Sequence, residues 1–380
     1  MKKKIAFLSA YDAENTSSWS GTPYFMLHAL KREDIEVITI GPVNSVIEPM
    51  LKLIKFTLGK IFNIKYNYTH SKILAYEYSV RFKLILKSHP DIEYIIAPAS
   101  STQIALLKTE IPILYISDTT FGQINDYYPY FEKIAYFSKK ESDKIEMLAL
   151  NNATLISFPS LWASQYTEIN YKIDKNKIKT IPWGPNLKTI PSLKKRILPS
   201  KKNELYCLFL GVDWFRKGGD VAVKAVQYAR SKGNNINLII CGCVPIGIEP
   251  ADWMTIIPNL NKNNTLEYNK FCDLLTNTDV LLLPTKAECY GMVFCEASAY
   301  GIPSIATNTG GIPSIIEHNK SGLLIEDPND YTSFGEALHE ILSNDNKYYE
   351  MSTFARAKYE RELNWGVWAK EILRFINDKK

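Results

Sequence analysis

Val280-Leu-Leu-Leu283-Pro284-Thr-Lys-Ala-Glu288-Cys-Tyr-Gly291-Met-Val-Phe-Cys-Glu296-Ala-Ser-Ala299 is the stretch on which the reading of this chain turns. The unbroken apolar run 280–283 predicts a strand buried on both faces, since it offers no polar edge to water. Gly291 stands where a helix should begin, with apolar and small residues following at helical spacing. A helix starting there directs free backbone N–H groups and a partial positive charge outward, which suits a phosphate. Glu288 precedes that helix and Glu296 lies about one and a half turns into it, so both can line one cleft. On residue type alone, Glu288 serves equally as a helix cap and Glu296 as part of an exposed helix face.

The same alternation runs outward from this stretch to both ends of the chain. In the first half, strands are expected at Ile5–Leu8, Val37–Ile40, Tyr94–Ala97, Ile113–Ile116, Leu155–Ser157 and Ile178–Ile181. In the second half they are expected at Tyr206–Leu210, Leu238–Cys241, Thr255–Ile257, Val280–Leu283, Ser304–Ala306 and Leu323–Ile325. Strands alternating with helical patterns over short links make doubly wound α/β sheets. The 380 residues are too many for one such sheet and suit two. The Pro- and Lys-rich stretch 187–202, which includes Lys194-Lys195-Arg196, shows no periodic apolar face and reads as the link. The domains expected are therefore 1–190 and 191–362. Trp365, Trp368, Ile372 and Phe375/Ile376 mark a docking helix over 363–380, expected to join the first domain.

Composition narrows the class further. The chain is 46% hydrophobic and 22% charged, which excludes wholesale disorder. No apolar run approaches the roughly 18 residues of a spanning helix. The opening Met1-Lys-Lys-Lys is followed by too short an apolar stretch for a leader and reads as a first strand. Net charge is +5, and residues 1–190 hold 23 Lys/Arg against 18 Asp/Glu while the rest is balanced at 22 each. An anionic surface partner should therefore meet the first half.

The six cysteines (207, 241, 243, 272, 289, 295) lie inside apolar patterns of the second half, which suits a reduced, cytoplasmic setting rather than a disulfide framework. Cys241-Gly-Cys243 lacks a second ligand pair, so no zinc site is expected. There is no Gly-x-Gly-x-x-Gly opening a helix, no Walker A loop, no His-Glu-x-x-His and no Gly-x-Ser-x-Gly, so dehydrogenase, ATPase, zinc protease and serine hydrolase readings have no support. No basic-aromatic cluster points to nucleic acid. In 51–65, Leu51, Ile54, Leu58, Ile61 and Phe62 share a helical face, with Lys52 and Lys60 away from it. A helix lying on an anionic membrane has this pattern, at the inner face if the setting is cytoplasmic. A helix packed on the core accounts for it more simply.

The 280–299 stretch continues as Ala299-Tyr-Gly301-Ile-Pro303-Ser-Ile-Ala-Thr307-Asn-Thr-Gly310-Gly311-Ile-Pro313 and then Gly322-Leu-Leu-Ile-Glu-Asp327-Pro328. With Glu288-x7-Glu296 before it, this resembles the donor-site signature of the retaining family-4 glycosyltransferases, enzymes of the GT-B fold. The resemblance implies two facing Rossmann-like domains with a cleft between them, and transfer of a sugar from a UDP- or GDP-sugar to a hydroxyl acceptor with retained configuration. The implied acceptor is a surface glycan or a lipid-linked saccharide. Hydrolase, phosphorylase and non-catalytic binding proteins on the same fold are the alternatives. By resemblance, Glu288 contacts the transferred sugar, Glu296 the ribose, and the backbone of Gly291, Met292 and Val293 the distal phosphate and sugar.

Gly211-Val-Asp-Trp-Phe-Arg216-Lys217-Gly218-Gly219-Asp220 resembles the family's second loop, whose basic side chains hold the diphosphate. A departing diphosphate needs either a metal ion or positioned cations. No Asp-x-Asp is present, so Arg216, Lys217 and the Gly291 helix are expected to act without metal or other cofactor. Many relatives carry Arg where this chain has Val212. In the first half, Gly21 and Thr22 match a loop that closes over the donor phosphates, although a turn before a helix with Pro23 in its first turn explains them equally well. Asp118, after strand 113–116, matches a position facing the sugar and reads equally as a loop cap.

Overall fold

The computed structural model describes residues 2–125, 127–131, 133–192 and 196–378. Lys194 and Lys195 of the expected link lie outside the described residues. The chain divides into two compact units, one of residues 1–181 with 369–380 and one of residues 182–368.

The first unit carries strands β1 (Lys3–Leu8), β2 (Ile35–Ile40), β3 (Tyr94–Pro98), β4 (Ile113–Ile116), β5 (Leu155–Phe158) and β6 (Ile178–Thr180). They form one parallel sheet in the order β2-β1-β3-β4-β5-β6. The second unit carries β7 (Leu205–Leu210), β8 (Ile236–Cys241), β9 (Met254–Ile257), β10 (Val280–Leu283), β11 (Ser304–Thr307) and β12 (Gly322–Ile325). Its parallel order is β12-β11-β10-β7-β8-β9. All twelve strands fall where the apolar runs predict them. The central ones, such as β3, β4, β5 and β10, are buried at every position, because helices packed on both faces leave no side for water.

In both sheets the strand order reverses at one place, between β1 and β3 and between β7 and β10. Loops leaving adjacent strands there diverge to opposite faces, opening a crevice at their carboxyl ends. The loop after β7 is the Gly211–Gly218 segment and the loop after β10 is the Pro284–Gly291 segment, so topology alone brings them together.

The division falls at Pro182 rather than at 190/191. The reason is aromatic packing: the Trp183 ring meets Tyr290 edge-on at 5.6 Å and stacks on Trp365 at 6.4 Å, both in the second unit. Trp183 N–H donates to the Tyr290 hydroxyl at 2.9 Å, and Trp365 Nε1 donates to the Pro185 carbonyl at 2.8 Å. The C-terminal helix Trp365–Asn377 accordingly begins in the second unit, and its residues from Ala369 belong to the first.

The helix Glu48–Phe62 departs from the core-packed reading. Leu51 is its one buried residue among those described, while Ile54, Ile61 and Phe62 of the expected inner face are exposed. No helix among the described residues is long and apolar enough to cross a membrane.

Candidate active site

The second unit assembles its site from the two loops at the β7/β10 reversal. Glycines set the first loop. Gly218 has φ +73°, and a Cβ there would stand 2.1 Å from the Pro284 carbonyl oxygen, so only glycine lets the two loops touch. Arg216 is held on both sides of its side chain. Its backbone N–H donates to the Asp213 carboxylate at 3.0 Å, its guanidinium donates to the Ala287 carbonyl at 2.8 Å, and its carbonyl accepts from Lys286 N–H at 2.7 Å. Lys217 is buried, and its ammonium pairs with Glu288 Oε2. Arg216 lies 3.8 Å from the same oxygen. One carboxylate thus keeps two cations together whose mutual repulsion would otherwise part them.

The second loop ends at Gly291, whose φ of +99° caps the helix Met292–Ala299. A Cβ there would come within 2.6 Å of the Phe294 ring and 3.3 Å of Glu288 Cγ. The first turn of that helix therefore carries its outward amides, those of Met292 and Val293 among them, beside the Arg216–Lys217–Glu288 group. Behind it, Tyr290 and Cys295 are buried against Trp183.

Glu296 lies inward on the same helix at 2% exposure, not on an exposed face. Its Oε1 accepts from the Lys262 ammonium at 2.6 Å, while Oε2 has no hydrogen-bond partner among the described residues. Burial raises its pKa above the ordinary 4.5, and Lys262 opposes part of that rise. A buried carboxylate oxygen without a donor is costly unless something binds there.

Sequence reasoning missed Lys262 and Asp213. Asp213 was legible in principle as an acid three residues before Arg216. Lys262 carried no signal: it sits in a polar loop after β9, and only the fold brings it to Glu296. Val212 is exposed and takes no part in the group.

The remaining candidates lie in the first unit. Gly21, φ +87°, caps the helix Thr22–Leu30, and a Cβ would meet the Thr16 carbonyl at 2.9 Å. Trp19 and Ser20 before it also have positive φ, so three successive residues occupy a region that L side chains disfavour. Asp118 is half-buried near Tyr11, whose hydroxyl pKa rises through burial and through the Asp118 charge. Among the described residues no group of three or more His, Cys, Asp or Glu gathers as a metal site.

Residues 192–358 match the family described as glycosyl transferases group 1. The match lies within the second unit, residues 182–368. The chain is 23% identical over 286 residues to a D-inositol 3-phosphate glycosyltransferase of Corynebacterium glutamicum, spanning 70% of this chain and 67% of that protein. Further curated relatives are matched over about half of their own length or less, 54% for one from Mycobacterium tuberculosis and 22% for one from Corynebacterium urealyticum. Among solved structures, a glycosyltransferase of Rickettsia africae superposes with TM-score 0.68 at 15% identity, over 100% of this chain and 98% of that one. The Anabaena protein HepE, solved with UDP and glucose, superposes with TM-score 0.63 at 15% identity, over 99% of this chain and 100% of that one. These likenesses identify the fold as GT-B.

Proposed function

We propose that this protein is a group 1 glycosyltransferase, which transfers a sugar from a nucleoside-diphosphate sugar to a hydroxyl of a saccharide or lipid-linked acceptor, with retained anomeric configuration and without a divalent cation. The observation that carries the reading is the gathering of Arg216 and Lys217 on Glu288 beside the glycine-capped helix end, at the strand-order reversal. As the bond from the anomeric carbon to the phosphate oxygen breaks, negative charge grows on the diphosphate. Arg216, Lys217 and the amides of Gly291, Met292 and Val293 compensate it, and they cost little reorganisation because loop geometry already fixes them. Glu288 holds the cations before the donor arrives and then faces the positively charged sugar. Glu296 accepts from the ribose hydroxyls, which gives its idle Oε2 a donor. The departing phosphate oxygen takes the acceptor's proton as the new bond forms on the same face.

Gly21 and Thr22 are assigned to donor phosphates, and Asp118 to the sugar, on the resemblance. The six cysteines, all without disulfide partners, suit a reducing compartment such as the cytoplasm. The test is Lys217→Ala and Glu296→Ala, assayed for transfer with and without chelator. Loss of transfer in folded variants, with chelator harmless to wild type, is expected. Full activity in both variants rejects the assignment.

A further inference from the structure

Lys262 is held in place by the second unit alone. It lies in the loop 258–264 after β9, within the turn that opens the helix Thr265–Asn277. Asn261 N–H donates to the Glu267 carboxylate at 2.7 Å, and Asn264 N–H donates to the Asn261 carbonyl at 2.9 Å. The Asn264 side chain caps the helix, accepting from Leu266 N–H at 2.9 Å. From that closed turn the Lys262 ammonium reaches 4.0 Å from the centre of the buried Phe271 ring and 2.6 Å from Glu296 Oε1.

The carboxyl it meets is one that burial would neutralise. Glu296 is 2% exposed, and desolvation favours its protonated form. A protonated carboxyl has one good accepting oxygen and one hydroxyl that donates, whereas an ionised carboxylate accepts at both oxygens. Lys262 takes one lone pair of Oε1 and leaves Oε2 without a donor. The ionised group therefore keeps room for two hydroxyl hydrogens, as a vicinal diol presents them.

The groups around Glu296 leave this task to Lys262. Burial pushes Cys241, at the end of β8, up to about 11 and Cys295, on the Glu296 helix, up to about 12. It also raises Tyr300, just past that helix, so all three are neutral near pH 7. On the helix Asp345–Arg361, packed against the Glu296 helix, Lys358 pairs with Glu317 at 3.2 Å. Arg356 on the same element pairs with Glu360 at 2.8 Å and donates to the Ala299 carbonyl. On the loop after β7, Arg216 and Lys217 share Glu288. Each of these cations has its own carboxylate, and Lys262 has Glu296.

We propose that Lys262 is a positioning residue for the nucleoside, holding Glu296 ionised so that both ribose hydroxyls can donate to it. The inference rests on the ribose role proposed above for Glu296. A merely structural ion pair would steady the loop and leave the pH dependence of nucleotide affinity untouched. The full chain, Lys262→Met and Lys262→Arg are titrated by calorimetry between about pH 6.5 and about pH 8.5, with whichever of UDP, GDP and ADP wild type binds most tightly. The quantity read is the ratio of variant to wild-type Kd, from which the nucleotide's own phosphate titration cancels. Without the cation the Glu296 pKa climbs further, so the Lys262→Met ratio should grow at least about tenfold as pH falls across that range. Lys262→Arg keeps the charge, and its ratio should stay flat. Urea melts check folding, and Lys262→Gln repeats the test if methionine disturbs the turn. A Lys262→Met ratio near one, or one that is large but equal at every pH, overturns the proposal; the second result makes Lys262 a direct ligand contact or a support for its loop. Absence of nucleotide binding by wild type rejects the ribose role and this proposal with it, whereas binding with a flat ratio rejects this proposal alone.

Discussion

Glu296→Gln separates the cost of the site from its use. In the free protein the substitution weakens one contact, the 2.6 Å bond from Lys262, which glutamine's oxygen still accepts. Lys262 is 38% exposed along its side chain, so solvent screens the pair and its loss amounts to about 1 kcal/mol or less. The buried second oxygen that lacks a donor becomes a buried amide N–H2 that lacks an acceptor, each costing about 1–3 kcal/mol, so these two penalties largely cancel. Net stability at neutral pH should stay within about 1 kcal/mol of wild type. Nucleotide binding should not be spared. A carboxylate accepting hydroxyl hydrogens contributes about 1.5–3 kcal/mol, and an amide keeps part of it, so a loss near 2 kcal/mol, roughly thirtyfold in Kd, is expected. Denaturant melts give the first quantity and titration calorimetry with UDP, GDP and ADP the second. Undiminished affinity for every nucleotide that wild type binds would refute the ribose role, and a stability loss above about 3 kcal/mol would make Glu296 a structural residue.

Gly218→Ala should cost about 3 kcal/mol or more, since alanine disfavours φ +73° and its methyl would meet the Pro284 carbonyl oxygen at 2.1 Å; a thermal melt with unchanged midpoint would contradict this. Glu146, buried with the Tyr115 hydroxyl donating to it at 3.0 Å, has its pKa raised from 4.5 to about 7 by burial. The folded state then holds more protons than the unfolded one between those values, so this group makes stability fall as pH rises through that window. Glu146→Gln removes the fall, and the stability difference between the two proteins should change by about 3 kcal/mol from pH about 4.5 to about 7. His70, lowered by burial from 6.5 to about 4, has the opposite slope, present in both proteins and therefore absent from the difference. Parallel curves from pH-dependent urea melts would refute the assignment.

Most of the architecture was legible because a doubly covered strand has no choice of face: Leu281, Leu282 and Leu283 are buried whichever way the strand turns. The site loops were legible for a related reason, since Gly218 and Gly291 occupy backbone conformations that few residues adopt. On the helix Glu48–Phe62 apolar residues spread over more than half of the circumference, so spacing cannot say that Leu51 alone is buried. Spacing also left Pro182–Leu187 with the first domain, whereas the contacts of Trp183 with Tyr290 and Trp365 tie this segment to the second unit. Lys262 was invisible because its partner lies in a helix 34 residues further on.

The most direct measurement is an experimental structure with the nucleoside diphosphate that most raises the melting temperature. The account predicts its pyrophosphate within hydrogen-bond reach of Lys217 Nζ, the Arg216 guanidinium and the Gly291–Val293 amides, with both ribose hydroxyls on Glu296. Density for the diphosphate anywhere else on the protein, or held there through a metal ion, would contradict it.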